Sequence, residues 1–284
     1  MKAYLASLGL ALHLMMPDAI AQPQQAVVSL DYCADQYVLA LSERQHIRGL
    51  SPASQSSYAY YKNQAQGLPQ LRAEAETIID AKPTIVVRQW GGGFQAPGLL
   101  KRFGMDVAQI DFGHGFETAE ANLRHMGEAL RAQEKAQALI RNMRQRLGAI
   151  GASLSRKTVR PRALYLTPGG VSAGKGTFVD VILSRAGVMN ITAEQGLTGW
   201  PAVDLEELVL NRPDLIITGF FDLGDEQPSH WSIARHSYLQ TLFEEVPTLH
   251  LPGRLLACSA WFSVEAVERI HEKAYPKTLA ETRK

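Results

Sequence analysis

Apolar and polar positions follow two different rhythms along this chain, and the change of rhythm divides it. From residue 26, short apolar runs alternate with helix-like stretches. AVVSL (26–30) predicts a buried strand; ADQYVLALSE (34–43), with Tyr37, Val38 and Leu41 at helical spacing, predicts a helix. HIRGL (46–50) predicts a second strand, followed by a polar, tyrosine-rich loop. Next come a helix over 73–81, the strand TIVV (84–87), the glycine loop WGGG, a helix PGLLKRFG and the strand VAQI (107–110). Strands alternating with helices predict parallel pairing in an open α/β sheet.

Residues 117–150 break that rhythm and hold no proline. Leu123, Met126, Leu130, Ile140, Met143, Leu147 and Ile150 recur in steps of three and four, with a wider gap near the middle. The pattern predicts one amphipathic helix of about 34 residues, roughly 50 Å long. The α/β pattern then resumes with ALYLT (163–167), a glycine loop, a helix over 178–187, helix 204–210, strand DLIITG (214–219), helix 236–246, strand TLHLP and a last helix from about Ser263 to Lys273. The expected organisation is a first lobe over 22–116, a linker helix over 117–157 and a second lobe over 158–284.

One fragment recurs across the lobes. AEAETIIDAKPTIVV (73–87) matches VDLEELVLNRPDLIIT (203–218) at an offset of 130, which places Glu76 on Glu206, Lys82 on Arg212 and Pro83 on Pro213. Each copy is a short helix, a basic residue near its C-terminus, a proline and a buried strand. That order suits the helix dipole and the helix stop.

The first 21 residues read differently. Lys2 is the only charge before Asp18, an apolar run covers Leu5 to Met16, and Ala19-Ile20-Ala21 offers small residues for cleavage before Gln22. This is the pattern of a secretory signal peptide. No cysteine follows the run, so no lipid-attachment site is expected, and the mature chain is expected in the periplasm, not embedded in membrane. Basic and acidic residues nearly cancel, 29 against 28, so nucleic acid is not an expected partner. Hydrophobic residues make up 46%, enough for a sizeable core. Two cysteines, Cys33 and Cys258, lie far apart; in an oxidising compartment they either pair or remain thiols buried under loops.

PGGVSAGKGTF (168–178) approaches the spelling of a nucleotide phosphate loop. Gly176 stands where a hydroxyl residue usually follows the lysine, and an exported protein meets little nucleotide triphosphate. A glycine turn between strand and helix is the reading favoured here.

SLDYCADQYVLAL, the two helix–proline–strand units and GKGTFVDVILSRAGVMNIT together resemble the substrate-binding proteins of ABC importers for cobalamin and iron–siderophore complexes. The resemblance covers nearly the whole mature chain. It implies two Rossmann-like α/β lobes with mostly parallel sheets joined by one long helix, the class III periplasmic binding protein architecture. It also implies a monomer that performs no chemistry, needs no cofactor, holds a bulky metal chelate between its lobes and delivers it to a membrane permease.

The resemblance places the cargo at the C-terminal strand ends, where open α/β sheets leave a crevice. Trp200, six positions before Glu206, stands where the cobalamin-binding members carry a tryptophan that packs on the corrin ring. Trp90 is similar in position to a family tryptophan, and Gly91 with its two neighbours would let cargo approach the backbone. Asp31 and Tyr32 follow the first strand; Tyr58, Tyr60 and Tyr61 lie in the loop after the second. Arg88 would meet an anionic siderophore, with Arg72 a weaker candidate. Gly170 and Lys175 belong to the cleft-edge turn, and Trp261 would close the cleft from the second lobe. Glu76 and Glu206 would dock onto permease arginines from the tips of the two lobes.

Rival readings need other residues. A zinc or manganese binder needs three histidines and a carboxylate; of the histidines only His114 sits at a plausible strand end, and haem would use it or a tyrosine. A hydrolase needs a Gly-x-Ser-x-Gly nucleophile elbow or a comparable nucleophile with its base, and none is expected in this chain. Ser172 and Lys175 share the glycine loop, but no base or oxyanion site follows from them.

Overall fold

The structure is a computed structural model and describes residues 25–93, 95–222 and 237–276. The signal-peptide reading, His230 and His236 fall outside them.

The first lobe holds β1 (Val27–Ser29), α1 (Tyr32–Leu41), β2 (Ile47–Gly49), α2 (Lys62–Ala65), α3 (Ala75–Asp80), β3 (Ile85–Arg88), α4 (Ala96–Arg102) and β4 (Asp106–Gln109). Its strands are all parallel, in the order β2-β1-β3-β4. Two helices follow, α5 (Phe116–Ala129) and α6 (Gln133–Leu154). The second lobe holds β5 (Arg162–Leu166), α7 (Phe178–Ala186), β6 (Met189–Asn190), α8 (Ile191–Glu194), α9 (Leu205–Leu210), β7 (Leu215–Gly219), α10 (Ser237–Glu245), β8 (Thr248–Leu251) and α11 (Val264–Ala274). Its sheet repeats the first in order, β6-β5-β7-β8, again all parallel. Helices cover both faces, so the central strands read as unbroken apolar runs such as Ile85-Val86-Val87 and Leu215-Ile216-Ile217. The sequence repeat is structural: α3 and β3 begin at Ala75 and Ile85, α9 and β7 at Leu205 and Leu215, preserving the offset of 130.

The expected single linker helix is two helices. α5 ends in a Schellman motif: Ala132 donates its N–H to Gly127 O at 2.7 Å, and Arg131 donates to Glu128 O at 3.2 Å. Arg131 takes the left-handed position, φ 53°, usually given to glycine or asparagine. An arginine there carries no stop signal; the wider gap in the apolar period between Leu130 and Ile140 is the trace this turn leaves in the sequence. The two helices then pack as an antiparallel hairpin. Glu120 of α5 receives Arg144 of α6 through two bonds of 2.6 Å, and also Arg124. Gly127 makes the close approach possible, since a Cβ there would lie 2.6 Å from that of Ala136. α6 alone, 22 residues and about 33 Å, bears on both lobes: it contacts α1 on one side and α7 and α11 on the other. One continuous buried cluster runs from Val27 and Val87 through Met126 and Ile140 to Tyr165 and Ile270. The lobes therefore share a core.

Candidate functional site

The two sheets meet at their C-terminal edges. After β1, Tyr32 donates its hydroxyl to Ala257 O, beyond β8, at 3.2 Å. After β4, Phe116 meets Phe178, beyond β5, with ring centroids 5.2 Å apart. These pairs bring loops that follow strands of the two lobes into contact.

On the first lobe those loops gather aromatics. The Tyr32 ring stands edge-on to Tyr58 and to Trp90, both at 4.9 Å, and Trp90 is stacked with Phe112 at 6.3 Å. Each ring comes from a different strand end: Tyr32 after β1, Tyr58 after β2, Trp90 after β3, Phe112 after β4. Trp90 is 38% exposed and Phe112 69%. Burial pushes the Tyr32 phenol above its ordinary range, helped by Tyr58 and Asp31, so it stays neutral and able to donate. Phe112 was not among the expected residues. The signal was present, an aromatic flanked by glycine just past a strand, in the stretch DFGHGF. His114 lies exposed in the same loop.

Asp31 holds this wall in place. It is 4% exposed and caps α1 by accepting from Ala34 N at 2.9 Å. Its other oxygen accepts from Gln89 N, Trp90 N and Gly91 N at 2.7, 3.0 and 3.0 Å. Four backbone donors leave it no face for cargo, so its role is to brace the Trp90 loop. Gly91 is likewise tied inward: a Cβ there would fall 2.2 Å from Leu30 O. Its lack of a side chain serves loop packing, not the approach of cargo.

The second lobe braces its own tryptophan by different means. Trp200 is 54% exposed and lies 6.4 Å from the buried Tyr165 ring. Its neighbours Gly199 and Pro201 accept from Gly174 N at 2.8 Å and Ser172 N at 2.9 Å. The glycine loop is therefore a clamp on the Trp200 loop. Lys175 N is spent on Leu197 O, Thr177 N on Gly174 O, and Gly176 N points to Asp180 Oδ2. The N–H groups a phosphate would need already have acceptors. Lys175 keeps its side chain exposed. Gly170 is buried, with its N–H and carbonyl bonded to Thr167 and Val203. It closes a turn and offers nothing to cargo.

The same loop spells Gly170-Val171-Ser172-Ala173-Gly174, the Gly-x-Ser-x-Gly spacing of a nucleophile elbow. The expectation that the chain holds no such elbow is therefore wrong at the level of spelling. In the fold, Ser172 is 1% exposed and its hydroxyl pairs with that of Thr192 at 2.7 Å. That is a packed serine, not one standing clear of the sheet edge.

Three expected aromatics go elsewhere. Trp261 is buried against Tyr37 at 4.8 Å, Tyr61 lies 6.3 Å from Trp261, and Tyr60 is stacked on Phe262 at 4.2 Å. They pack between the lobes, Trp261 buried and Tyr60 and Tyr61 in part, and burial pushes the Tyr61 phenol up to about 12. Arg88 is also buried, with Nε lacking an acceptor, whereas Arg72 is exposed ahead of α3. Glu76 and Glu206 are both exposed, in the first turns of α3 and α9. Among the described residues no three of His, Cys, Asp and Glu converge to hold a bare metal ion. Hollows of about 520 Å³ between α3 and α4 and about 620 Å³ beside the α5–α6 turn are not lined by Trp90, Phe112 or Trp200.

Residues 27–221 match the family model described as periplasmic binding protein. The chain belongs to the periplasmic binding protein family. Within it, the chain is 23% identical over 272 residues to the uncharacterised ABC transporter substrate-binding lipoprotein YvrC of Bacillus subtilis, covering 92% of this chain and 83% of the relative. It is 26% identical over 175 residues to the vitamin B12-binding protein of Salmonella typhimurium, covering 60% of this chain and 65% of that one. Among solved structures, the apo periplasmic heme-binding protein RhuT of Roseiflexus superposes with a TM-score of 0.71 at 19% identity, covering 89% of this chain and all of that one. The vitamin B12-binding protein BtuF of Vibrio cholerae gives 0.65 at 18%, covering 89% and 97%. These likenesses show the fold: two parallel-sheet lobes of the periplasmic binding protein type.

Proposed function

We propose that this protein is the extracytoplasmic substrate-binding component of an ABC importer. It holds one bulky, flat or apolar-faced metal chelate between Trp90 and Trp200 and hands it to the permease unchanged. The observation that supports the reading is that each lobe carries one substantially exposed tryptophan on a hydrogen-bonded loop, Trp90 in the first and Trp200 in the second. A loop-borne tryptophan offers a broad apolar face at small entropic cost, and bracing the loop reduces that cost further. Tyr32, Tyr58 and Phe112 extend the wall. A bare ion would need converging His and carboxylate ligands, and a catecholate would want several arginines together; this wall is neutral and aromatic. A corrinoid suits it best, in keeping with the names of the Salmonella and Vibrio relatives.

The export reading of residues 1–21 supports a periplasmic site of action. Among the described residues no helix is long and apolar enough to cross a membrane. Glu76 and Glu206, one exposed on each lobe at equivalent positions, would meet basic residues of the permease. Titration with cyanocobalamin, hemin and ferric siderophores, followed by tryptophan fluorescence, tests the proposal. Saturable one-to-one quenching without a new product supports it; indifference to every chelate refutes it.

A further inference from the structure

Cys33 and Cys258 form a disulfide that closes a sequence separation of 225 residues. Cys33 lies in the first turn of α1, in the first lobe; Cys258 lies between β8 and α11, in the second. Both are buried. The residues around Cys258 continue the crossing. Ala257 accepts the Tyr32 hydroxyl, Trp261 meets Tyr37, and Phe262 is stacked on Tyr60. The stretch 257–263 belongs to the second lobe by chain order, packs on α11 there, and also meets Tyr32, Tyr37 and Tyr60 of the first.

We propose that this bond is an aperture lock. It fastens 257–263 to the cleft-side end of α1 and so presets the gap between Trp90 and Trp200. Position supports the assignment: Cys33 adjoins Tyr32, a member of the aromatic wall, and Cys258 adjoins Ala257, the Tyr32 partner. The shared core and α6 already join the lobes; the disulfide adds a covalent tie between the first turn of α1 and the segment after β8, next to the Tyr32 ring that meets Trp90. Local opening is the motion a crosslink there suppresses, because the aromatic contacts can part transiently but the bond cannot. Buried sulfurs are sheltered from thiols, which makes the lock permanent in the folded protein and not a redox switch. The lock concerns the geometry of the gap and stands whichever cargo the gap takes.

Hydrogen exchange on the full mature chain tests it, comparing the native protein with Cys33→Ala/Cys258→Ala. The expected result is at least ~tenfold faster exchange in 257–263 and in the first turn of α1, with β1, β3, β5 and β7 unchanged. As a second readout, release of whichever of hemin or cyanocobalamin binds should quicken. Unchanged exchange in 257–263 would overturn the lock. So would equal acceleration throughout the chain, or a variant that fails to fold, since the bond would then hold the whole fold and not the gap. The exchange readout needs no ligand, so a chain that ignores every chelate fails the transport reading while leaving this test intact.

Discussion

The backbone N–H of Trp90 donates to the Asp31 carboxylate at 3.0 Å, across 59 residues of chain. Through this bond and the three beside it, the start of α1 sets where the exposed indole stands. Replacing Asp31 by alanine removes a helix cap and strands three further donors. The expected loss is about 3 kcal/mol of stability, seen by chemical denaturation. Asp31→Asn, which keeps one acceptor oxygen, should lose less.

The tryptophans should act mainly on binding. Trp200, 54% exposed, should tolerate Trp200→Ala with little change in the unfolding midpoint, whereas Trp90→Ala, which loses ring contacts with Tyr32 and Phe112, should cost about 1 to 2 kcal/mol. Each should weaken chelate binding about 10- to 100-fold, or ~1.4 to 2.8 kcal/mol. Calorimetric titration beside a denaturation curve separates the two effects.

Docking should separate from binding. Reversing both charges, Glu76→Arg with Glu206→Arg, should abolish chelate uptake in whole cells and leave the dissociation constant unchanged. Single reversals should weaken uptake partially, and more strongly at low ionic strength. Loss of chelate affinity in the double variant would move these residues into the cleft.

Asp35 gives the fold a pH dependence. Its carboxyl is buried, bonded to Ser29 and to Ser51, and burial pushes it from 3.8 to about 7 against those bonds. Between those values the folded state holds a proton that the unfolded chain has lost. Stability from this group is therefore full below about 4 and falls as pH rises through about 7. Urea midpoints taken from pH 4 to 8 should fall more for the native protein than for Asp35→Asn.

Much of this molecule was legible in the sequence, for identifiable reasons. Parallel strands buried on both faces advertise themselves as apolar runs, and the α3–β3 and α9–β7 repeat is written in a proline and an acid at a constant offset. The turn at Arg131 was only faintly legible: the apolar period widens between Leu130 and Ile140, but a left-handed arginine supplies no glycine or proline to mark a stop. The site was half legible. Trp90, Tyr32 and Tyr58 lie in loops that follow strands, which sequence can locate, and Trp200 in the loop between α8 and α9. Whether a strand-end residue faces the gap or turns inward depends on partners far along the chain. Asp31 turns to residues 89–91, Trp261 to Tyr37 and Tyr60 to Phe262, and no local pattern encodes those choices.

The most direct measurement is the dissociation constant of the Trp90→Ala/Trp200→Ala protein, set against the native chain for the best-bound of cyanocobalamin, hemin and ferric siderophores. The account predicts one-to-one binding by the native protein and a loss of about a hundredfold or more in the double variant, with the fold intact by circular dichroism. Equal affinities, or a native protein that binds none of the three, would contradict it.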